Sequence, residues 1–238
     1  MQRAVKHVIT RCGKLVWILL LTMSVGGQEN YVGRWDAYGG YTYISQPNIN
    51  LGENGFNLQT GVRLTTWLTG GFDYSVATGQ NTLLEGMLIP SLQRQIGEQL
   101  GQLITAGVVP PDCRLAVPTN AKTQTFQVGP DFPIRHFRTV TFFVRPNLGA
   151  LQIVATPRPT DSIASAIVAQ LIPSGKKTDW TYFYGLGGGM EYNVTRHFAL
   201  RFQTDFAHDH FFSDVLKAGN TIRFSVGPAF QWGNNVAE

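Results

Sequence analysis

From Ile222 onward the chain alternates with period two. Ile222, Phe224, Val226, Pro228, Phe230 and Trp232 are apolar, and Arg223, Ser225, Gly227, Ala229 and Gln231 between them are small or polar. The run before it does the same: Phe198, Leu200, Phe202 and Phe206 point one way, Arg201, Gln203 and Asp205 the other. Tyr182 to Tyr192, Val140 to Leu148, Phe126 to Ile134, Leu68 to Val76, Phe56 to Leu64 and, less cleanly, Trp35 to Tyr43 repeat the pattern. Successive side chains of a strand point to opposite faces, so the alternation predicts eight strands. Three of the connections, Arg63–Trp67, Arg135–Thr139 and Asn193–His197, are tight turns, and the intervening ones are longer. An even number of strands joined by short turns at one end and long loops at the other is the pattern of an all-β, eight-stranded antiparallel transmembrane β-barrel.

Two segments leave this pattern. In Pro90 to Gly107, Leu92, Ile96, Leu100, Leu103 and Ile104 share a helical face, with Pro90 at the start and Gly107, Pro110 and Pro111 at the end. Asp161 to Ile172 reads as a second helix with the stripe Ile163, Ile167 and Leu171, capped by Thr160 or Asp161. Both fall on the long-loop side, in loops expected over about 80–122 and 156–177, and are expected to pack on the rim or on each other.

Alternation alone does not say which face meets lipid. Three features place the apolar face outside. It is dominated by large aromatics, and the opposite face is rich in Gly, Ser and Thr. The polar face carries charges of both signs at mid-strand: Arg63, Arg135, Arg145, Arg201 and Arg223 against Asp36, Asp73, Asp131, Glu191 and Asp205. Buried charges need partners, and this face supplies them to a narrow lumen. Finally, Trp67, Phe137, His197 and Trp232 stand at strand ends, where an interfacial girdle belongs.

The N-terminus changes the reading of charge. Arg3, Lys6, Arg11 and Lys14 precede and border the apolar stretch Leu15 to Val25, a secretory signal peptide expected to be cut after Gly27 and to leave a barrel domain over 28–238. The chain has 19 Lys+Arg and 15 Asp+Glu. Removing four basic residues leaves a balanced mature chain with no nucleic-acid footprint. Cys12 leaves with the leader, so Cys113 has no intrachain disulfide partner.

Ser225-Val226-Gly227-Pro228-Ala229-Phe230-Gln231-Trp232 resembles the C-terminal assembly signal of small outer-membrane barrels, through Ser225, Gly227, Phe230 and Trp232. Over about residues 31–232 the chain resembles the OmpA/OmpX-like outer membrane protein beta-barrel group. The tail Gly233–Glu238 and the helical loops depart from its smallest members. The resemblance implies the cell outer membrane, contact with its lipid, insertion by the barrel-assembly machinery and a non-enzymatic role in envelope structure or surface interaction. A partner reached through the loop helices is a further expectation.

Candidate chemistry is sparse. His208, Asp209, His210 and Asp214 cluster near the end of strand seven, and His208 and His210 share a strand face, a weak metal-site pattern. Ser213 lies near His210 without a third residue spaced to orient a base. Gly185 to Gly189 continues a strand and precedes no helix, so it is no nucleotide loop. No cofactor and no catalytic residue is expected. A lipid-modifying enzyme, a narrow pore and a secreted lipocalin-like binder, with an apolar lumen and polar exterior, are the competing readings.

Overall fold

A computed structural model describes residues 31–108, 110, 115–216 and 219–237. The expected leader, its cleavage site and Cys113 lie outside the described residues. Eight strands close into one barrel: β1 (Gly33–Gln46), β2 (Leu51–Thr65), β3 (Leu68–Leu84), β4 (Ala116–Ile134), β5 (Val140–Pro157), β6 (Lys177–Asn193), β7 (Phe198–Asp209) and β8 (Gly219–Asn235). Each pairs antiparallel with its sequence neighbours, and β1 pairs antiparallel with β8. Closure leaves no sheet edge, the condition for a sheet to stand in a solvent that cannot hydrogen-bond the backbone.

The turns β2–β3, β4–β5 and β6–β7 mark one end of the barrel, together with both ends of the described chain. At the other end lie the β3–β4 connection with helix α1 (Pro90–Thr105) and the β5–β6 connection with helix α2 (Ser162–Leu171). Asp161 caps α2 by accepting the Ala164 N–H at 2.7 Å. Pro90 opens α1, where its missing N–H costs nothing.

The strands run further than the alternation of apolar exterior positions suggests. β4 has 19 residues and β5 has 18, whereas crossing a bilayer takes about 9–11 tilted residues. The β1–β2 connection shrinks to a single 3-10 turn, Pro47–Ile49, and Asn50. Apart from the Gly33–Asn235 pairing where β1 meets β8, the extra length lies at the long-loop end. There, above Tyr43, Phe56, Val76, Phe126 and Phe206, the outward positions turn polar: Ser45, Asn54, Thr78, Gln124 and His208 come next. The inward positions turn apolar in step. Ile49, Leu51, Val117, Ala121, Leu151, Ile153 and Phe183 form one buried cluster with Ile96 and Leu100 of α1, Ala164 and Ile167 of α2, and Phe211, Phe212 and Leu216 from the β7–β8 loop. Ile89 donates to the Val215 carbonyl at 2.9 Å, and Leu88 bridges Leu216, so two loops are tied across the top.

The molecule is therefore two stacked solutions of one barrel. The lower part has an apolar exterior and a polar interior. The upper part, a crown, has the reverse pattern of a water-soluble barrel, plugged by its own helices. Side chains in an eight-stranded interior fill it in either case.

Candidate functional site: the luminal ion-pair network

The residues that project into the lower lumen come from all eight strands, and register brings their charges together. Arg201 donates to Asp36 at 2.8 Å and also to Glu191, and Arg63 meets Asp36 at 3.0 Å. Above this group, Arg223 bridges Asp73 and Asp205, each at 2.8 Å. Arg145 joins the same two carboxylates at 3.3 and 3.8 Å and reaches Asp131 at 3.4 Å. Arg135 lies at the turn end beside Asp36 and Asp131 and donates to the Thr66 carbonyl at 3.1 Å. Nine of the ten charged residues are buried, and Asp131 retains partial exposure at the tight-turn end.

Two amides couple the groups into one network. Gln59 accepts from Arg201 at 2.8 Å and donates to Asp73 at 2.8 Å and to Gln203 at 2.7 Å. Gln203 then donates to Asp205 at 2.9 Å. The Arg201 guanidinium also lies between the rings of Tyr38 and Phe143, with its carbon 5.3 and 5.7 Å from their centroids. Charge, hydrogen bonds and ring faces thus replace the hydration that burial removes. Tyr38, Phe143, Gln59 and Gln203 were not foreseen as site residues. Their inward position was legible from strand phase, but the partner across the lumen depends on register.

Glycine makes room for this packing. A Cβ on Gly187 would lie 1.9 Å from an Asp205 carboxylate oxygen, so only a residue without one admits that carboxylate. The space that remains near the tight-turn end is a cavity of about 20 Å³ lined by Asp36, Arg63, Asp131, Arg135 and Arg201 among others.

The exterior of the same segment is the opposite. Trp35, Tyr41, Phe56, Leu58, Phe72, Leu148, Leu186, Phe206, Phe224 and Phe230 are large apolar side chains that stay exposed around the barrel. Water would not leave so continuous a belt uncovered. With a lumen of paired charges inside, this is a membrane-spanning surface, and the lipocalin-like arrangement is excluded for this part of the barrel. Phe230 and Trp232 stack at 5.7 Å on the lipid-facing side, and Trp35 pairs opposite Trp232. Ser225 faces inward and shares a 2.9 Å hydrogen bond with Thr42. Gly227 sits at the β1–β8 seam, where a Cβ would come within 2.5 Å of the Gly40 backbone.

The histidine cluster divides. His208 faces outward and its Nδ1 lies 2.8 Å from the Asn220 amide oxygen, with the His210 ring 4.8 Å away. Asp209 faces inward, hydrogen-bonded to Thr221 at 2.7 Å, and Asp214 pairs with Lys177. Strand alternation separates neighbours in sequence, so these residues form no single site. Among the described residues no group of three or more His, Cys, Asp or Glu could hold a metal ion.

No family model matches the chain, and no curated protein matches it in sequence. Solved structures similar to it include the attachment invasion locus protein Ail of Yersinia pestis, at 10% identity and a TM-score of 0.47, covering 84% of this chain and 99% of that one. Neisserial surface protein A aligns at 11% identity and a TM-score of 0.49, over 83% of this chain and 96% of its own. The outer membrane protein OprG of Pseudomonas aeruginosa aligns at 9% identity and 0.48, over 88% and 100%.

Proposed function

We propose that this chain is a non-enzymatic outer-membrane barrel with a sealed lumen, serving envelope structure or surface interaction through its crown. The single observation that carries the reading is the doubly closed interior: a paired-charge network across the membrane-spanning part, continuous with an apolar plug above it. The tight turns then face the periplasm and the crown stands outside the cell. The crown is held by strands rather than by loops alone, so it presents a rigid surface, to which α1 contributes exposed polar positions such as Arg94 and Glu98. The leader over 1–27 supports export, and the segment Ser225 to Trp232 supports insertion by the barrel-assembly machinery.

The test is expression with the native leader in a Gram-negative host, followed by fractionation, heat-modifiability electrophoresis and planar-bilayer recording. The expected protein is in the outer membrane, migrates faster before boiling than after, and gives no sustained conductance. Recovery in the soluble periplasm defeats the localisation. Large, stable conductance defeats the sealed lumen and moves the assignment to a pore.

A further inference from the structure

At the tight-turn end, outside the lumen, a groove of about 330 Å³ opens between the β4–β5 and β6–β7 turns. Arg138, Thr139, Asn193, Thr195, Arg196 and Tyr31 line it. Two guanidiniums face one groove, and none of its described lining residues is a carboxylate. The Arg196 guanidinium lies over the Tyr31 ring, 5.4 Å from its centroid, which orients the fork without using its N–H donors. The Tyr31 hydroxyl is anchored on the Gly233 carbonyl at 2.8 Å, so the platform is tied to the end of β8. Thr195 Oγ1 accepts from the backbone N–H groups of His197 and Phe198, which leaves its own O–H to donate outward.

We propose that this groove binds the phosphodiester headgroup of a phospholipid from the periplasmic leaflet. The proposal rests on the outer-membrane orientation above. Two arginines with the Thr195 hydroxyl between them match the planar, multi-oxygen geometry of a phosphate, while the Asn193 amide donates to the Arg138 carbonyl and steadies the turn. A lipid is favoured over a free anion because aromatic contacts lead from the groove onto the lipid-facing surface. Tyr31 meets the His197 ring edge-on at 5.0 Å, His197 meets Phe230 at 6.2 Å, and Phe230 stacks on Trp232. Phe198 sits opposite Phe230 on the neighbouring strand. A headgroup in the groove therefore places its acyl chains along Phe198 and Phe230, and basic pockets at this depth are suited to lipid headgroups.

The experiment uses the full mature barrel, purified in mild detergent from the outer membrane and examined by native mass spectrometry for retained phospholipid. The wild type is expected to carry one phospholipid, and Arg138→Ala with Arg196→Ala to lose it at least tenfold. Lys122→Ala with Lys176→Ala, at the opposite end of the barrel, should retain it. Heat-modifiability confirms that each variant is folded; if the arginine pair is not, Arg138→Gln and Arg196→Gln are read singly, each expected to reduce retention. Equal retention by wild type and folded arginine variants overturns the proposal. A second arm compares thermal stabilisation by short-chain phosphatidylglycerol with that by inorganic phosphate. Equal stabilisation by both overturns the lipid assignment in favour of a free anion. Loss of outer-membrane localisation would instead defeat the orientation, and is read separately by fractionation.

Discussion

Glu53 is the acid that the network does not hold. It faces inward on β2 above the lipid belt, fully buried, opposite Gly79 on β3 and Ile44 on β1. Neither carboxyl oxygen has a hydrogen bond of good geometry, and the Thr123 hydroxyl and backbone beside it offset the burial only in part. Arg223, opposite Ile44 in the β1–β8 register, is turned down to Asp73 and Asp205. Asp209, another inward carboxyl of the crown, is bound to Thr221. Burial with no cation beside it pushes the Glu53 carboxyl up from 4.5 to about 7, and burial raises Asp209 as well. A group that binds its proton more tightly when folded contributes stability that is complete below the unfolded value. That stability is lost as pH rises through the folded value. The Glu53 contribution is therefore intact below pH 4.5 and falls away through about pH 7.

The interval from 4.5 to about 7 corresponds to ~3 kcal/mol, at 1.36 kcal/mol per pH unit. For a domain of this size that is on the order of 6–12 °C in the unfolding midpoint. Glu53→Gln keeps the shape and removes the ionisation. The prediction is that both proteins melt alike near pH 4.5, and that by pH 9 the variant melts about 6–12 °C higher. Asp209, also raised by burial, remains in both, so the variant should still lose some stability as pH rises. The assay is the unboiled-to-boiled mobility transition against temperature, in one detergent, from pH 4.5 to 9. Parallel pH curves for the two proteins, or a variant less stable at pH 9, would show that Glu53 is compensated in the folded state and sink the reasoning.

Other expectations follow from the same geometry. Arg201→Ala takes the guanidinium from Glu191 and leaves Asp36 with Arg63, and the uncompensated charge in this buried layer should cost about 3–5 kcal/mol, read as a lower midpoint; an unchanged midpoint would mean that water reaches the lumen freely. Gly187→Val should abolish the folded, heat-modifiable form, because its Cβ would lie 1.9 Å from Asp205, whereas Gly70→Val, whose Cβ meets nothing within 4 Å, should fold normally. Phe230→Ala with Trp232→Ala should lower the folded amount in the outer membrane far more than Phe206→Ala; equal losses would mean that apolar area alone, not an assembly signal, explains the effect.

The membrane-spanning half was legible in the chain because lipid outside and paired charge inside impose opposite residue classes on alternate positions. The inward charges followed from strand phase alone. Their partners did not: Arg223 reaches Asp73 on β3 and Asp205 on β7, and Gln59 spans from Arg201 to Asp73, choices set by register and by the width of the lumen. Phe143 and Tyr38 were obscured for a related reason, since a ring on the polar face looks like a break in the pattern until an arginine is found between two of them.

The crown was missed because the period persisted while the classes exchanged faces. At the level of Asn54, Thr78, Gln124 and Gln152 the outside solvent changes from lipid to water. The outward residues become polar, and Leu51, Ala121, Leu151 and Ile153 turn inward. A search for apolar exteriors therefore ends the strands several residues early and reads the remainder as loop. This changeover also explains Glu53. One layer lower an inward carboxylate meets arginine; among Leu51, Ile44 and Gly79 it meets none, and only a proton neutralises it at no structural cost. The boundary between the two interiors is thus where the fold tolerates a lone buried acid, and where its stability should respond most to pH.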